Sequence, residues 1–325
     1  MSAPRQSFHS PWRRQTWRRL LNATVEGIAL MGAAEQTRLS WAKSVRSVDE
    51  IPPAYHDYLH ANLLDLAACL PAVLTPTFRG FLQRENEKLV FTHDERLYIL
   101  EQSASALLPC VFPLAEINII EVGAILLKAW LRVSGLIDGQ PTSHTLKYNT
   151  VTQFLFDPLV AQIRDAQSDS PALADLRHER ARFDPLCDYH YKFMSYARMS
   201  LLPGERVVDY LMQPEIRTPR LRVLGRSMSM RIIDTAHLCI LTDNELIVIR
   251  DDPASLQSCN ETRYGGVWDY LPLSQVQGAA LEERADGLVL ALRLPRDDRF
   301  EVMFSPANHL KAERLCAQLQ AEIPC

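Results

Sequence analysis

Two stretches decide the fold: Phe91-Thr92-His93-Asp94-Glu95-Arg96-Leu97-Tyr98-Ile99-Leu100 and Ile240-Leu241-Thr242-Asp243-Asn244-Glu245-Leu246-Ile247-Val248-Ile249. Each is an apolar run, a polar turn containing aspartate and a second apolar run, the pattern of a β-hairpin. Three further landmarks surround them in the same order. Leu74-Thr75-Pro76 precedes the first hairpin as Met212-Gln213-Pro214 precedes the second. Phe112-Pro113-Leu114 follows the first as Leu271-Pro272-Leu273 follows the second. Last come Leu159-Val160-Ala161-Gln162-Ile163 and Leu315-Cys316-Ala317-Gln318-Leu319. Pro76 to Pro214 is 138 residues, Asp94 to Asp243 is 149, Pro113 to Pro272 is 159 and Ala161 to Ala317 is 156. Loops absorb such drift at little thermodynamic cost. The expectation is a duplicated unit of antiparallel strands closed by a helix.

In the second unit the strands are expected at Val207–Met212, Leu221–Leu224, Leu238–Leu241, Leu246–Arg250, Trp268–Leu271, Val276–Leu281, Leu288–Leu294 and Phe300–Phe304. A helix from Asn308 to Glu322 follows, with Leu310, Leu315, Leu319 and Ile323 as its apolar face. In the first unit strands are expected at Lys88–Phe91, Leu97–Glu101, Ile117–Val122, Leu126–Ser134 and Thr145–Tyr148, then a helix from Thr150 to Ala166 that Pro158 kinks or restarts. The domains divide as an N-terminal helical segment 1–49, a first unit 50–167, an exposed linker 168–188 and a second unit 189–325.

The chain has 325 residues and a formal net charge of −4, with 47% apolar and 23% charged residues. These values exclude a disordered or collagenous chain and give no reason to expect a nucleic-acid partner. Seven cysteines are scattered without C-x-x-C spacing, which supports neither a zinc ribbon nor a disulfide framework. A reducing, cytosolic setting is the expectation, with peripheral contact at the inner face of the plasma membrane as its companion. Asp65, Glu121 and Lys128 interrupt the longest apolar runs, so no spanning helix is expected. Residues 11–35 read as a helix whose apolar positions are Trp17, Leu20, Leu21, Val25, Ile28 and Met31. Trp12, Arg13, Trp17 and Arg18 form a candidate membrane contact, because interfacial tryptophans beside cations suit an anionic surface. Docking of the same face on the body of the protein is the rival expectation.

Small β-sandwiches plugged by a C-terminal helix are the plan of the pleckstrin-homology (PH) superfold, and the residues resemble bacterial PH-like domains. Leu201-Leu202-Pro203-Gly204-Glu205-Arg206-Val207, the Leu241-Thr242-Asp243-Asn244-Glu245-Leu246 hairpin and Tyr264-Gly265-Gly266-Val267-Trp268-Asp269-Tyr270-Leu271-Pro272-Leu273 carry that resemblance. The first unit lacks the Leu-Pro-Gly-Glu opening and the Tyr-Gly-Gly-x-Trp segment. The resemblance implies an α+β chain, mainly β, of two tandem PH-like sandwiches. It also implies a role in binding, because this superfold hosts lipid, peptide and protein recognition. Arg220-Leu221-Arg222 is similar to the basic-x-basic element with which lipid-binding members hold anionic head groups.

That element lies in a stretch where the second unit gains 11 residues over the first, judged by the separations 138 and 149. Arg217, Arg220, Arg222 and Arg226 are the candidate anion-binding residues there, since guanidinium groups pair bidentately with phosphate or carboxylate. A cationic edge strand that resists pairing is the structural alternative. His56-Asp57-Tyr58-Leu59-His60 has the i, i+4 histidine spacing of a zinc-protease helix, without a third-ligand motif. The expectation is therefore a non-catalytic binding or scaffold protein with no cofactor and no metal, docking a protein or an anionic membrane. A metal-dependent hydrolase using His56 and His60 is the alternative.

Overall fold

The computed structural model describes residues 40–63, 65–79, 84–104, 106–168, 174–223, 226–252 and 265–324. The helix expected at 11–35, with Trp12, Arg13, Trp17 and Arg18, lies outside the described residues. The protein is mainly β with some helix, an α+β arrangement of several antiparallel sheets.

The first half begins with strand β1 (Lys43–Val45), so part of the segment read as helical is extended. Three short 3-10 turns and helix α1 (His56–Asn62) occupy residues 48–69. Strands β2 (Ala72–Thr75), β3 (Phe78–Arg79), β4 (Arg84–Glu85), β5 (Lys88–His93), β6 (Arg96–Gln102) and β7 (Leu107–Pro113) follow. After a 3-10 turn come β8 (Ile117–Ile125), β9 (Lys128–Ile137) and β10 (Gln140–Asn149). A 3-10 segment (Thr150–Leu155) leads into α2 (Asp157–Asp165), with Pro158 in the first turn, where its missing N–H costs nothing.

Helices α3 (Leu176–Ala181) and α4 (Cys187–Ser200) precede the second half. That half contains β11 (Val207–Gln213), β12 (Ile216–Val223), β13 (Arg226–Asp234), β14 (His237–Thr242), β15 (Glu245–Arg250) and β16 (Gly266–Pro272). After another 3-10 turn, β17 (Gly278–Arg284), β18 (Gly287–Arg293) and β19 (Arg299–Phe304) lead to α5 (His309–Glu322). From β2 and from β11 onward the two halves run through the same succession of strands, 3-10 turn, strands and helix. The matched landmarks fall at matched places: strand ends at Thr75 and Gln213, hairpin turns at Asp94 and Asp243, and 3-10 turns opened by Leu114 and Leu273.

Sheet order is β1-β2-β5-β6-β7 in one five-stranded sheet and β10-β9-β8-β16-β15-β14-β11 in a seven-stranded one. The pairing of β8 with β16 carries that larger sheet across both halves. Strands β14 and β15 are buried on both faces, which explains their near-continuous apolar runs. Leu238, Ile240, Ile247 and Ile249 belong to a core shared with Ile163 of α2 and Phe193 and Ala197 of α4. Cys239, Leu241, Leu246 and Val248 pack instead with Leu290 of β18 and Leu315 and Leu319 of α5.

The stretch read as an exposed linker is therefore partly a cover. Phe183 is fully buried and Glu179 and Leu186 nearly so, because β14 and β15 need apolar material on the face that α5 does not reach. Residues 48–70 do the same for β5 and β6, with Tyr55 and Leu59 beneath Leu89, Phe91 and Leu100. On α5, Leu315 and Leu319 are buried as expected, but Leu310 is 79% exposed. Ala312, one turn on from Asn308, takes the inward position instead.

Candidate functional site

The basic stretch folds into a hairpin of its own. Among the described residues β12 and β13 pair only with each other, as a two-stranded sheet. The register sets Val223 opposite Arg226 and Arg222 opposite Ser227, so the backbone positions of Arg220, Arg222 and Arg226 gather near the tip. Arg217 stands nearer the base, opposite Ile232, and pairs with Glu215. The four positions are thus divided: Arg220, Arg222 and Arg226 lie toward the tip and Arg217 toward the base. At the corresponding place in the first half the described residues form the two-residue strands β3 and β4.

A buried ionic cluster, at the end of β11 and β14 away from the hairpin, fixes the second half to the first. Arg164, on α2, lies between Glu245 and Glu205, with all three nearly buried. Its Nε donates to Glu245 at 3.0 Å, its Nη2 donates to the Ser200 carbonyl at 2.7 Å, and the guanidinium covers the Tyr270 ring at 4.0 Å. Glu205, 3.7 Å from the same Nη2, accepts from the Leu202 amide and the Thr242 hydroxyl. Burial, together with the charge of Glu245, pushes the Glu205 carboxyl up to about 8. Two carboxylates share one cation in a desolvated place, so one of them keeps its proton more readily. The adjoining cleft has about 30 Å³, roughly room for one water. This cluster holds the fold together and offers no space for a substrate.

A different surface emerges at the far end of the first half. The turn between β8 and β9 presents Leu126 and Leu127, 70% and 58% exposed, with Leu126 at φ 53°. Thr150 ties this turn to the next segment: its amide donates to the Leu127 carbonyl and its hydroxyl to that of Leu126. Val151 and Phe154, 49% and 63% exposed, come alongside as a result. Leu127 is also part of a groove of about 490 Å³ lined by Trp130, Tyr148, Pro76 and Ser40, with Lys128, Arg132, Lys147 and Glu85 at its polar positions. Trp130 faces Gly123 across the sheet, where any Cβ would fall 2.1 Å from the indole, and its Nε1 donates to Glu121. Sequence reading did not single out this surface. The signal was the alternation Lys128-Ala129-Trp130-Leu131-Arg132-Val133, which buries Ala129, Leu131 and Val133 and turns Trp130 and Arg132 to the other face.

His56 and His60 share α1, their rings edge-on at 6.3 Å, and His56 Nε2 lies 3.1 Å from the Ile51 carbonyl oxygen. Among the described residues no group of three or more His, Cys, Asp or Glu side chains is placed to hold a metal ion. No helix among them is long and apolar enough to cross a membrane. Trp268 is partly buried against Tyr196, while Tyr270 is buried. Between them Asp269 is buried, 2.6 Å from the Arg250 guanidinium and directly across the β8–β16 pair from Glu121. Burial, with help from Glu121 and against the pull of Arg250, raises its carboxyl to about 7.

No protein-family model and no curated protein matches this sequence. The functional reading rests on the residues alone.

Proposed function

We propose that the protein is a non-catalytic binding or scaffold protein of two tandem PH-like sandwiches, and that its β12–β13 hairpin docks on an anionic membrane surface. The shared succession of elements in the two halves, each ending in a helix packed on its strands, supports the PH-like reading. One observation carries the docking: the hairpin register gathers the positions of Arg220, Arg222 and Arg226 toward one tip. A cation near an anionic leaflet contributes about 1 kcal/mol, so three together contribute about 3 kcal/mol, roughly a hundredfold in partitioning.

Co-sedimentation of the full chain with vesicles tests this. Binding is expected to vesicles rich in anionic phospholipid, not to neutral ones, and to weaken as salt is raised. The triple change Arg220→Ala, Arg222→Ala and Arg226→Ala is expected to cut it by roughly a hundredfold. Equal binding by the variant, or binding to neutral vesicles as well, overturns the proposal. No binding to either vesicle also overturns it and leaves an acidic protein surface as the partner.

A further inference from the structure

The geometry points to an intramolecular seat: the groove beside the β8–β9 turn receives the apolar face of the chain's own residues 20–34. The path of the chain is the first reason. Ser40 lines the groove, and its carbonyl oxygen accepts from the Asn149 amide at 3.1 Å while its hydroxyl accepts from the Asn149 side chain. Ala42 is held too, donating to the Thr152 hydroxyl. The preceding segment thus leaves from the groove wall itself. Residues 32–39 separate Met31 from Ser40, a span of at most about 30 Å when extended, so Met31 lies within that reach of the groove wall. A tether this short gives an effective concentration on the order of millimolar, which favours this occupant over one arriving from solution.

Chemistry agrees with the path. The segment offers Leu20, Leu21, Val25, Ile28 and Met31 at helical spacing, the i, i+3, i+4 pattern by which an amphipathic helix fills a hydrophobic groove. The groove offers Leu127, Trp130, Tyr148 and Pro76, and beside it Leu126, Val151 and Phe154 stand exposed. Four large apolar side chains at 49–70% exposure around one end are more than single scattered residues would be. Charge does not oppose the match: between residues 20 and 34 the one charged residue is Glu26, while at the groove Lys147 pairs with Glu85 and Arg132 with Glu121. Concavity favours a helix over a lipid surface, because a flat bilayer cannot fill a recess of about 490 Å³.

Hydrogen exchange of the full chain, read by mass spectrometry, decides the matter. An isolated helix of this length is marginal in water, so protection of residues 20–34 requires a seat. In the parent protein the segment should exchange on the order of tenfold slower than a free chain. Leu127→Asp with Phe154→Asp changes exposed side chains, so the fold should survive, as unchanged protection of β14 and β15 would show. That double change, and Ile28→Asp separately, should each return residues 20–34 to free-chain rates. Free-chain rates in the parent, or protection that survives the groove substitutions, overturns the inference. Protection that falls on dilution together with a dimeric mass assigns the groove to a second copy. Protection appearing only with vesicles assigns the segment to a membrane. Either result also overturns the inference, and neither bears on the β12–β13 hairpin.

Discussion

β8 and β17 hold the same place in their halves, each following the 3-10 turn opened by Leu114 or Leu273, but their outer edges meet different fates. β8 pairs with β16 and so joins seven strands from both halves, whereas β17 is the outermost strand of a sheet of three. The burial patterns follow. β8 buries Ile117, Ile120 and Val122 in the core shared by the two halves, while β17 is half-buried or exposed along its length. The charges divide the same way. β17 and its neighbours carry exposed pairs such as Arg284 with Glu301 and Arg299 with Glu282. The joined edge instead encloses Glu121 opposite Asp269, and close by Arg164 bridges α2 to the β14–β15 turn. A repeated succession of elements therefore yields two sheets of different character, because among the described residues one edge pairs with a further strand and the other does not.

The strongest way to break that comparison is to remove the buried cation. Arg164→Met leaves Glu205 and Glu245 desolvated without a counter-charge, and a cost of about 3–5 kcal/mol is expected in denaturant unfolding. A loss below about 1 kcal/mol would mean that the two halves do not depend on this cluster. The backbone at the junction gives the next largest effect. Gly265 has φ 89°, and a Cβ there would stand 1.9 Å from the Ala124 carbonyl oxygen. Gly265→Ala should cost about 1–3 kcal/mol. Gly278→Ala on β17, whose Cβ would meet only the Arg293 side chain at 3.4 Å, should stay within about 1 kcal/mol of the parent.

The smallest effect is a pH dependence. The Asp269 carboxyl rises from 3.8 to about 7 on folding, so its contribution to stability is full below about pH 4 and is lost as pH climbs through 7. Glu205 acts in the same direction, up to about 8. Partly buried His144 and buried His237, whose pKa values are lowered chiefly by burial, act in the opposite direction as pH falls. The informative quantity is thus the difference between proteins. Asp269→Asn should lose less thermal stability than the parent between pH 5 and 8, and an identical slope would remove Asp269 from the account.

Several of these features were legible as sequence. The hairpins at Asp94 and Asp243, the Pro113 and Pro272 turns and the helix around Leu315 are local patterns, and local sterics and periodicity determine them. β7, which carries Pro109 and Pro113, was missed; an edge strand tolerates proline on its unpaired side. Leu310 was assigned inward by spacing, but in the first turn of α5 it faces outward and Ala312 is buried instead. The basic tip was found as composition, and only the pairing of β12 with β13 separated Arg217 from Arg220, Arg222 and Arg226. The exposed Leu126, Leu127 and Phe154 were invisible, because apolar residues in sequence are read as core.

By itself the sequence determined the two hairpins at Asp94 and Asp243, the proline turns and the order in which they recur, since each depends on neighbours within a few residues. Tertiary structure alone decided that β8 would meet β16, that α4 would cover β14 and β15, and that a groove would form between Ser40 and the β8–β9 turn. Those outcomes depend on which surfaces meet across more than a hundred residues, as between Ala124 and Gly266, and no local pattern records that choice.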